Sequence, residues 1–409
     1  MVAPFLPDEE KVAALRRELV ATGAGIYLDA ATAGPLPAET DRAMREWADW
    51  ELRVGRVGPD AEDEFVARCD EARGTLAAIL VSPAERVALA PSVGLALRAA
   101  ASARRWRAGE RIVAASSLEA PVLAALAELA ATVGADLEMV ELSPGAAPDA
   151  IVGAIGGAVA HRAGGAGGEG AAALVAVPHV SPLDGSLLPV AEVAEMAHRA
   201  DAWLAVDGSL AVGAIPVDAP SLGADIYATA GDRWLCGPSG TAAVFLGPGL
   251  PIPASLASGG SRVSAGAGVD PAFHRAAVVG LGRSAGWLAM QVGLEWASSR
   301  ARRLLELAAD LLGAIRGVTL LAPPDRLGAM LAVRLDGWPA DRLREELGRR
   351  AFAIVGLVES ANALRIGIGS WNTEDEIRRV AEALAELAAT SPEHASDRRP
   401  PIVIVPGER

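Results

Sequence analysis

Lysine is almost absent from this sequence: Lys11, near the N-terminus, is the only one in 409 residues. Mechanisms that hold a substrate or cofactor as a Schiff base need a primary amine that can lose its proton. Arginine stays protonated and cannot form that bond. Because almost all of the basic residues are arginines, side-chain Schiff-base chemistry is excluded everywhere except at Lys11.

Cysteine is nearly as scarce as lysine. The two cysteines, Cys69 and Cys236, lie far apart and show none of the spacings typical of a metal site. We therefore expect no metal centre. We also expect both side chains to be buried as small apolar residues rather than exposed as reactive thiols.

Excess basic charge and long apolar runs are also missing. The formal net charge is −14 and the isoelectric point is near 5.0, which argues against a nucleic-acid partner because phosphate binding needs a basic surface. No apolar run reaches the roughly 18 to 20 residues that cross a bilayer. The N-terminal segment is acidic and amphipathic, unlike a secretory signal. These absences predict a cytoplasmic protein with no nucleic-acid or membrane partner.

The centre of the chain, from Trp203 to Leu246, holds three short apolar strands separated by turns: WLAVD, DIYAT and AAVFL. A glycine-bracketed loop, AGDRWLCGPSG, lies between the last two. On both sides of this run, short apolar strands alternate with segments of helical apolar spacing. This alternation predicts an α/β fold.

The central run resembles the core of the class V aminotransferase family, the fold-type-I enzymes that use pyridoxal phosphate (PLP). The family includes cysteine desulfurases, isopenicillin N epimerase-like proteins and C–S lyases. Its pattern runs roughly D-G-A-Q, G-x-x-P-V-D, L-G-x-D-x-Y and S-G-H-K-W-L-x-G-P-x-G. The matching residues follow here in the same order and without a gap: Asp207-Gly208, Gly213, Pro216-Val217-Asp218, Leu222-Gly223, Asp225, Tyr227, Gly231, Trp234-Leu235, Gly237-Pro238 and Gly240.

The resemblance covers about residues 25–388 and implies a large domain with a mostly parallel central sheet, a smaller α+β C-terminal domain, and a homodimer with active sites built across the interface. A loop over 251–275 lacks the family's R-x-E-x-G-T phrase, and a second loop is expected over 161–170. The expected divisions are an N-terminal arm (1–24), a large domain (25–274), a bridging helix (275–317), a small domain (318–390) and a tail (391–409).

The sequence departs from the family at the lysine that holds PLP as a Schiff base. The residue at that catalytic position is Arg233. No shift of the alignment supplies another lysine, because Lys11 lies in the N-terminal arm. The resemblance therefore implies PLP as the family cofactor, but a PLP that is not covalently bound here, or no cofactor at all.

Other expected cofactor contacts lie at the ends of earlier strands. Ser92, Val93 and Gly94 open a helix after a strand, where free N–H groups form a site for the cofactor phosphate. Ser92 is equally well explained as a helix N-cap. Glu119 matches the acid of a family E-H pair, while Ala120 stands where the family's histidine stacks on the pyridine ring, and a methyl group cannot replace it.

Three further positions follow the family pattern H-x-S-N-x-x-G and the strand-end acid. His179 and Ser181 match and are candidates for substrate binding, but the asparagine has become Pro182. His179 is either a general base or a packed histidine. Asp207 retains the acid that pairs with the pyridine nitrogen. Asp232 replaces a phosphate-binding histidine and would repel a phosphate.

A closing phrase near the C-terminus also matches the family. Arg365 falls on the arginine that grips the substrate carboxylate with two parallel hydrogen bonds. Thr373 and Glu376 form a capping box for the last helix. The segment from Phe352 to Leu364 contains no cysteine, which argues against cysteine desulfurase activity because that chemistry needs a loop cysteine there.

These matches and departures leave three functions open. The favoured one is a protein that has lost PLP-lysine catalysis and serves as a non-catalytic or repurposed binder of a small carboxylate-bearing molecule. The second is a PLP- or PMP-dependent transferase, lyase or epimerase acting on an amino acid, anchored by Asp207. The third is PLP-independent catalysis in the vacated pocket by Asp207, His179, Asp232 and Arg233.

Overall fold

The computed structural model of this protein describes residues 5–161, 170–253, 256 and 274–392. Most of the two predicted loops, at 161–170 and 251–275, lies outside these residues, as does most of the predicted tail. Among the helices described, none is long and apolar enough to cross a bilayer. Within the same residues, no group of three or more His, Cys, Asp or Glu side chains is arranged to hold a metal ion.

Strands and helices alternate along most of the chain. The strands are β1 (Ile26–Leu28), β2 (Val87–Ala90), β3 (Arg111–Ala115), β4 (Asp136–Val140), β5 (Ala172–Pro178), β6 (Trp203–Asp207), β7 (Ile226–Ala230), β8 (Ala242–Leu246), β9 (Val318–Leu320), β10 (Met330–Leu335), β11 (Ala353–Val358) and β12 (Ala363–Gly367). The helices are α1 (Asp8–Glu18), α2 (Ala38–Val54), α3 (Pro59–Ile79), α4 (Val93–Ser102), α5 (Ala120–Val133), α6 (Pro148–Ala160), α7 (Val190–Arg199), α8 (Arg275–Gly286), α9 (Leu294–Gly313), α10 (Ala340–Ala351) and α11 (Glu374–Ala388).

The larger sheet has the strand order β2-β8-β7-β6-β5-β3-β4. Its strands are parallel except for β8, which runs antiparallel to β7 and β2. Helices cover both faces of such a sheet, so its strands become continuous apolar runs rather than alternating ones. Every residue of β5 is buried, for example. The predicted α/β fold with a mostly parallel central sheet is therefore confirmed.

The smaller sheet has the order β1-β11-β12-β10-β9, so it takes its first strand from the N-terminus. Tyr27 of β1 pairs in parallel with Ile354 of β11. Directly after β1, Asp29 forms an isolated bridge with Gly367. The chain then crosses to the larger domain through residues 29–37, a segment that touches both sheets and becomes part of the candidate site.

The helix predicted over 275–317 is broken into three pieces in the structure. Helix α8 runs on into a π-helical segment, Trp287–Val292, and α9 begins only after Gly293. Gly293 has a φ of +85°, a conformation that ends a helix and that glycine adopts without steric cost. Apolar spacing alone does not report such a break, because the pattern continues on both sides of it.

Candidate functional site

The predicted site residues lie at the carboxyl ends of the parallel strands, the edge where α/β sheets usually bind ligands. Ser92 follows β2, Glu119 follows β3 and His179 follows β5, while Asp207 ends β6 and Arg233 follows β7. Arg365 lies on β12 of the smaller sheet. The site is therefore formed by the large sheet, the small sheet and the segment 29–37 between them.

Arg233, which was predicted to stand at the family's lysine position, is held by the chain itself. One terminal nitrogen, Nη1, donates to the backbone oxygen of Ala31 at 2.6 Å and to that of Thr32. The other, Nη2, donates to Glu119 Oε2 at 3.0 Å. Its Nε lies 3.7 Å from Asp232 Oδ1. The guanidinium thus ties the loop after β7 to the end of β3 and to the crossing segment.

Glu119 and Ala120 sit where α5 begins. Glu119 is the residue before the helix, and its side chain makes no capping hydrogen bond to α5. It pairs instead with Arg233, a role that the sequence did not predict. Ala120 is the first residue of α5 and is exposed. Its methyl group gives the site no ring-stacking surface.

Arg365 forms a second cluster with Asp29 and Thr32. Its Nη2 donates to Thr32 Oγ1 at 2.6 Å and lies 3.7 Å from Asp29 Oδ1, which accepts from the same hydroxyl at 2.9 Å. Gly356 stands opposite Arg365 on β11. A Cβ there would lie 2.6 Å from Asp29 Oδ1 and 3.1 Å from Arg365 Nε, so only glycine leaves room for the pair.

Burial shifts the pKa values of both charged groups in that cluster. Desolvation raises the pKa of Asp29, while the Thr32 hydrogen bonds and the charges of Arg365 and Arg233 oppose the rise. Desolvation lowers the pKa of Arg365, and the nearby Asp29 and Glu119 oppose the fall. Thr32 contacts both arginines, because its hydroxyl accepts from Arg365 and its carbonyl accepts from Arg233. Sequence reasoning missed Thr32 because its partners are distant along the chain.

Asp207 is 5% exposed at the end of β6. Its Oδ1 accepts hydrogen bonds from the backbone N–H and the hydroxyl of Ser209. Desolvation raises the pKa of Asp207 to about 6, and the charge of Glu119 adds to the rise. The hydrogen bonds from Ser209 and the charge of Arg233 oppose it. Asp207 is thus a buried acid of the site, and it forms no direct ion pair with the described residues.

His179 is a packed histidine in this structure. Its Nδ1 lies 2.8 Å from Tyr227 Oη, and the two rings meet edge to face with centroids 5.9 Å apart. Desolvation lowers the pKa of His179 to about 4, so the ring is neutral at physiological pH. Tyr227 was matched to the family pattern, but its bond to His179 was not predicted. Of the two predicted roles for His179, the geometry favours packing.

Ser181 and Ser92 both cap their own backbone. Ser181 Oγ accepts from the N–H of Leu183 at 3.3 Å, which stabilises the turn after β5. Ser92 Oγ accepts from the N–H of Leu95 at 3.3 Å and is the N-cap of α4. The N-cap explanation of Ser92 is therefore confirmed, and because the oxygen only accepts here, its O–H can still be donated to another group.

Gly94 is required by helix packing rather than by a ligand. A Cβ at this position would lie 2.9 Å from the backbone oxygen of Pro121 and 3.0 Å from the methyl group of Ala125. Helices α4 and α5 thus approach each other through Gly94, and Val93 beside it is buried. The glycine has a structural reason to be there whether or not an anion binds at this helix N-terminus.

Comparison with known proteins identifies a family. The family model for class V aminotransferases matches residues 26–380. Isopenicillin N epimerase of Streptomyces clavuligerus is 29% identical over 342 residues, covering 78% of this chain and 84% of the epimerase. A probable cysteine desulfurase of Methanothermobacter thermautotrophicus is 23% identical over 407 residues, covering 91% of this chain and 97% of that protein.

A similar solved structure shows the same fold. It is a C-DES variant with glycine covalently linked to its PLP cofactor, and it superposes with a TM-score of 0.76 at 17% identity. The superposition covers 91% of this chain and 99% of the C-DES chain. At this level of identity the likeness concerns the fold alone.

Proposed function

The chain belongs to the class V aminotransferase family, and we propose that it has lost lysine-dependent PLP chemistry and binds a small carboxylate-bearing molecule without the family reaction. One observation supports the proposal most directly: Arg233, the residue that the sequence match places at the lysine position, donates hydrogen bonds to Ala31, Thr32 and Glu119. PLP is the cofactor that the family implies, so its fit to these residues decides between this function and the family's own.

The residue at the predicted lysine position cannot form the covalent link to PLP. A guanidinium cannot condense with an aldehyde, because arginine does not lose its proton in proteins. Lys11, the only lysine, is buried in α1, and its Nζ lies 4.3 Å from the ring centroid of Trp296. Both facts support a site without covalent PLP.

The non-covalent contacts fit PLP poorly as well. Ala120 offers only a methyl group, and Pro182 has neither an amide side chain nor a backbone N–H. Asp232 brings a carboxylate to the loop where the family binds phosphate, and like charges repel. Asp207 alone keeps a group suited to the cofactor ring. We derive no catalytic step through PLP from such a set.

Arg365 supports the carboxylate part of the proposal. Its Nε is buried and has no hydrogen-bond partner among the described residues. A buried donor left unpaired costs about 1–3 kcal/mol, and a carboxylate that reached it would remove that cost. Thr32 and Asp29 hold the guanidinium through its Nη2. Arg233 Nε also lacks a partner among the described residues, but both terminal nitrogens of Arg233 donate to the chain, whereas only Nη2 of Arg365 does. We therefore assign Arg365 as the ligand-binding residue and Arg233 as a structural one.

The scarcity of lysine allows a clean test of the first half of the proposal. A Lys11→Arg chain contains no lysine, and adding Arg233→Lys gives a chain whose only lysine is at the family's position. Both proteins and the wild type are titrated with PLP, followed by absorbance and by borohydride reduction with peptide mass mapping. We expect no lysine adduct in the wild type, and peptide mapping separates any adduct at the N-terminal amine.

Two results of that titration would contradict the proposal. One is a saturable aldimine band in the wild type whose adduct maps to Lys11. The other is tight, saturable binding of PLP or PMP without an adduct, which would favour the PMP-dependent alternative through Asp207. Aldimine formation only in the Arg233→Lys chain supports the proposal and shows that the pocket still admits the cofactor.

The second half of the proposal is tested with matched ligands. A panel of small carboxylates and their primary amides is screened by thermal shift against the wild type and an Arg365→Gln variant. We expect some carboxylates, but not their amides, to raise the melting temperature of the wild type, and the variant to lose this response. Equal stabilisation by an acid and its amide would show that Arg365 does not select the ligand.

We further propose that the protein is a cytoplasmic homodimer. Apolar side chains stand in solvent near the end of α2, including Leu52 at 85% and Val57 at 85% exposure, and clustered exposed apolar groups are typical of interfaces. Light scattering after gel filtration should give twice the 41.7 kDa chain mass. A Leu52→Asp, Val57→Asp double variant should run as a monomer if this surface is the interface, and a monomeric wild type would refute the assembly.

A further inference from the structure

A cavity of about 690 Å³ lies away from the strand-end site, between helices α2, α3 and α8 and the π segment. Small-molecule sites usually measure roughly 300–1,000 Å³, so the cavity has room for an organic ligand. Nothing in the proposed function uses it. Its walls include Glu46 and Trp50 of α2, Arg68 of α3, and Trp287, Met290 and Gln291 of the π segment.

Aromatic side chains are concentrated at one wall of this cavity. They make up only 4% of the chain, which has nine tryptophans, yet Trp47, Trp50 and Trp287 all line the cavity. The rings of Trp47 and Trp50 lie with centroids 4.9 Å apart and planes tilted by 35°. Met290 beside them is 75% exposed. Trp47 and Trp287 are themselves buried, so within the described residues the apolar surface that this wall offers belongs to Met290 and the half-buried Trp50.

The π-helical segment forms part of the same wall. Trp287, Met290 and Gln291 line the cavity and all belong to Trp287–Val292. A π-helix is rare and packs less well than an α-helix, and such segments occur frequently at functional sites. On the preceding helix, a Cβ at Gly286 would meet no atom within 4 Å. Packing therefore does not require this glycine, and it leaves the wall open.

Two buried donors in the cavity wall have no acceptor. The indole N–H groups of Trp47 and Trp287 lack hydrogen-bond partners in the described part of the chain, and so does Gln291 Oε1. Buried polar groups are nearly always paired in native proteins, and each exception calls for an explanation. Of the three groups, only Gln291 Oε1 is an acceptor, so it is the one with which a ligand that donates hydrogen bonds could pair.

The opposite wall, on α3, is polar and acidic. Arg68 is bridged by Glu64 at 3.1 Å and by Glu71 at 2.7 Å. Arg283, from α8, lies 3.9 Å from Glu39 and is neutralised in the same way. The cavity's arginines are thus matched by carboxylates.

Glu46 on α2, next to Trp47, has no hydrogen bond or ion pair within the described residues. The cavity is therefore lined by three glutamates and two arginines, an excess of one acidic group.

We propose that this cavity binds a small organic cation, an amine with an apolar body. The ammonium group would lie against Glu46 and the half-buried indole of Trp50. The apolar body would extend along Met290. Tryptophan is the strongest aromatic partner for a cation, and such contacts contribute about 0.5–2 kcal/mol depending on solvent exposure. This inference is independent of the function proposed for the strand-end site.

The test compares three ligands of similar shape and different charge: phenethylammonium, phenethyl alcohol and phenylacetate. Binding to the full-length protein is measured by calorimetry and by quenching of tryptophan fluorescence. We expect the ammonium to bind about tenfold more tightly than the alcohol, which corresponds to about 1.4 kcal/mol, and phenylacetate to bind most weakly. Equal affinities for the three ligands would overturn the proposal.

Two variants locate the binding. Trp50→Leu keeps an apolar side chain at a half-buried position, and Glu46→Gln removes a charge from an exposed one. Both should weaken phenethylammonium binding, by about tenfold and several-fold respectively. Glu195→Gln, at an exposed position of α7, is the control and should bind as the wild type does. Unchanged binding in Trp50→Leu, with its melting temperature preserved, would refute the site.

Light scattering on the same samples separates a ligand site from an interface. If phenethylammonium bound only when a dimer dissociated, the cavity would be covered by a second copy, and the proposal would fail. Binding without a change in mass supports it.

Discussion

The strands β5 to β8 and the loops that follow them differ in what their residues contribute to this protein. The strands are buried apolar runs. The loops keep the glycines of the family pattern, but we propose that they have lost the side chains that hold PLP. The fold survives because it depends on buried apolar surface, whereas function depends on a few side chains placed on that fold.

The loops nevertheless make contacts of their own. Arg233 donates to the backbone oxygen of Thr32 and to Glu119, and Gly208 lies against the ring of Tyr227. Groups of this chain now make contacts in a region that serves a cofactor elsewhere in the family. The four predictions below test how much these contacts contribute to the stability of the fold.

The largest effect is expected for Gly208→Ala. A Cβ at this position would overlap the ring of Tyr227, which is fully buried. Overpacking in a rigid interior costs about 3 kcal/mol at the upper end of its usual range. Urea denaturation should show this loss in the free energy of unfolding. Gly23→Ala is the matched control, because a Cβ there meets no atom within 4 Å. A loss below about 1 kcal/mol would show that the loop adjusts.

Asp207→Asn should change how stability depends on pH. Burial raises the pKa of Asp207 from 3.8 to about 6, so between these values the folded protein holds a proton that the unfolded chain has released. The stability from this carboxyl is complete below about pH 4 and is lost as the pH rises to about 6, a change of about 2 to 3 kcal/mol.

The asparagine variant should lack that loss and be more stable than the wild type above pH 6, while matching it more closely near pH 4. Urea denaturation at a series of pH values measures the difference. Asp336→Asn, at an exposed position, should leave the profile unchanged. Parallel profiles for wild type and Asp207→Asn would contradict the assignment.

Arg233→Met should destabilise the protein by about 1 to 2 kcal/mol. The change leaves Glu119 and two backbone oxygens without their donor, and partial exposure of the pair limits the loss. A double-mutant cycle with Glu119→Gln should give a coupling energy of about 1 kcal/mol. Additive effects of the two single changes would mean that the ion pair does not contribute.

The smallest effect is expected for Thr32→Val, at about 0.5 to 1 kcal/mol. The change removes the hydroxyl that accepts from Arg365 and donates to Asp29 but keeps the side-chain shape. Thr32→Ser retains the hydroxyl and should restore most of the stability. Equal losses in both variants would place the effect in packing rather than in the hydrogen bonds.

The sequence was sufficient for the fold but only partly sufficient for the site. Three strands in the central run were predicted from their apolar residues, and β6, β7 and β8 lie there. Arg365 was identified from a phrase of neighbouring residues. Its partners Asp29 and Thr32 were not, because β1 and β12 meet only through the small sheet. Side-chain pairs of this kind depend on tertiary geometry that no local pattern encodes.

The π segment was missed for a different reason. A π-helix adds residues to a turn without changing which of them are apolar, so the apolar spacing over 275–317 still predicted one continuous helix. The break is marked by the positive φ of Gly293. A glycine in the sequence does not predict such a break, because glycine adopts many backbone conformations.

The N-terminal position of β1 has a consequence for how the protein is made. The small sheet joins the first strand of the chain to strands near its end. During synthesis Ile26–Leu28 must therefore wait until β11 leaves the ribosome, and such long-range pairing slows folding. Until then the segment 29–37, which contacts both Arg233 and Arg365, is not held in place by the small sheet. Completion of the last domain and assembly of the strand-end site should consequently occur as a single late event.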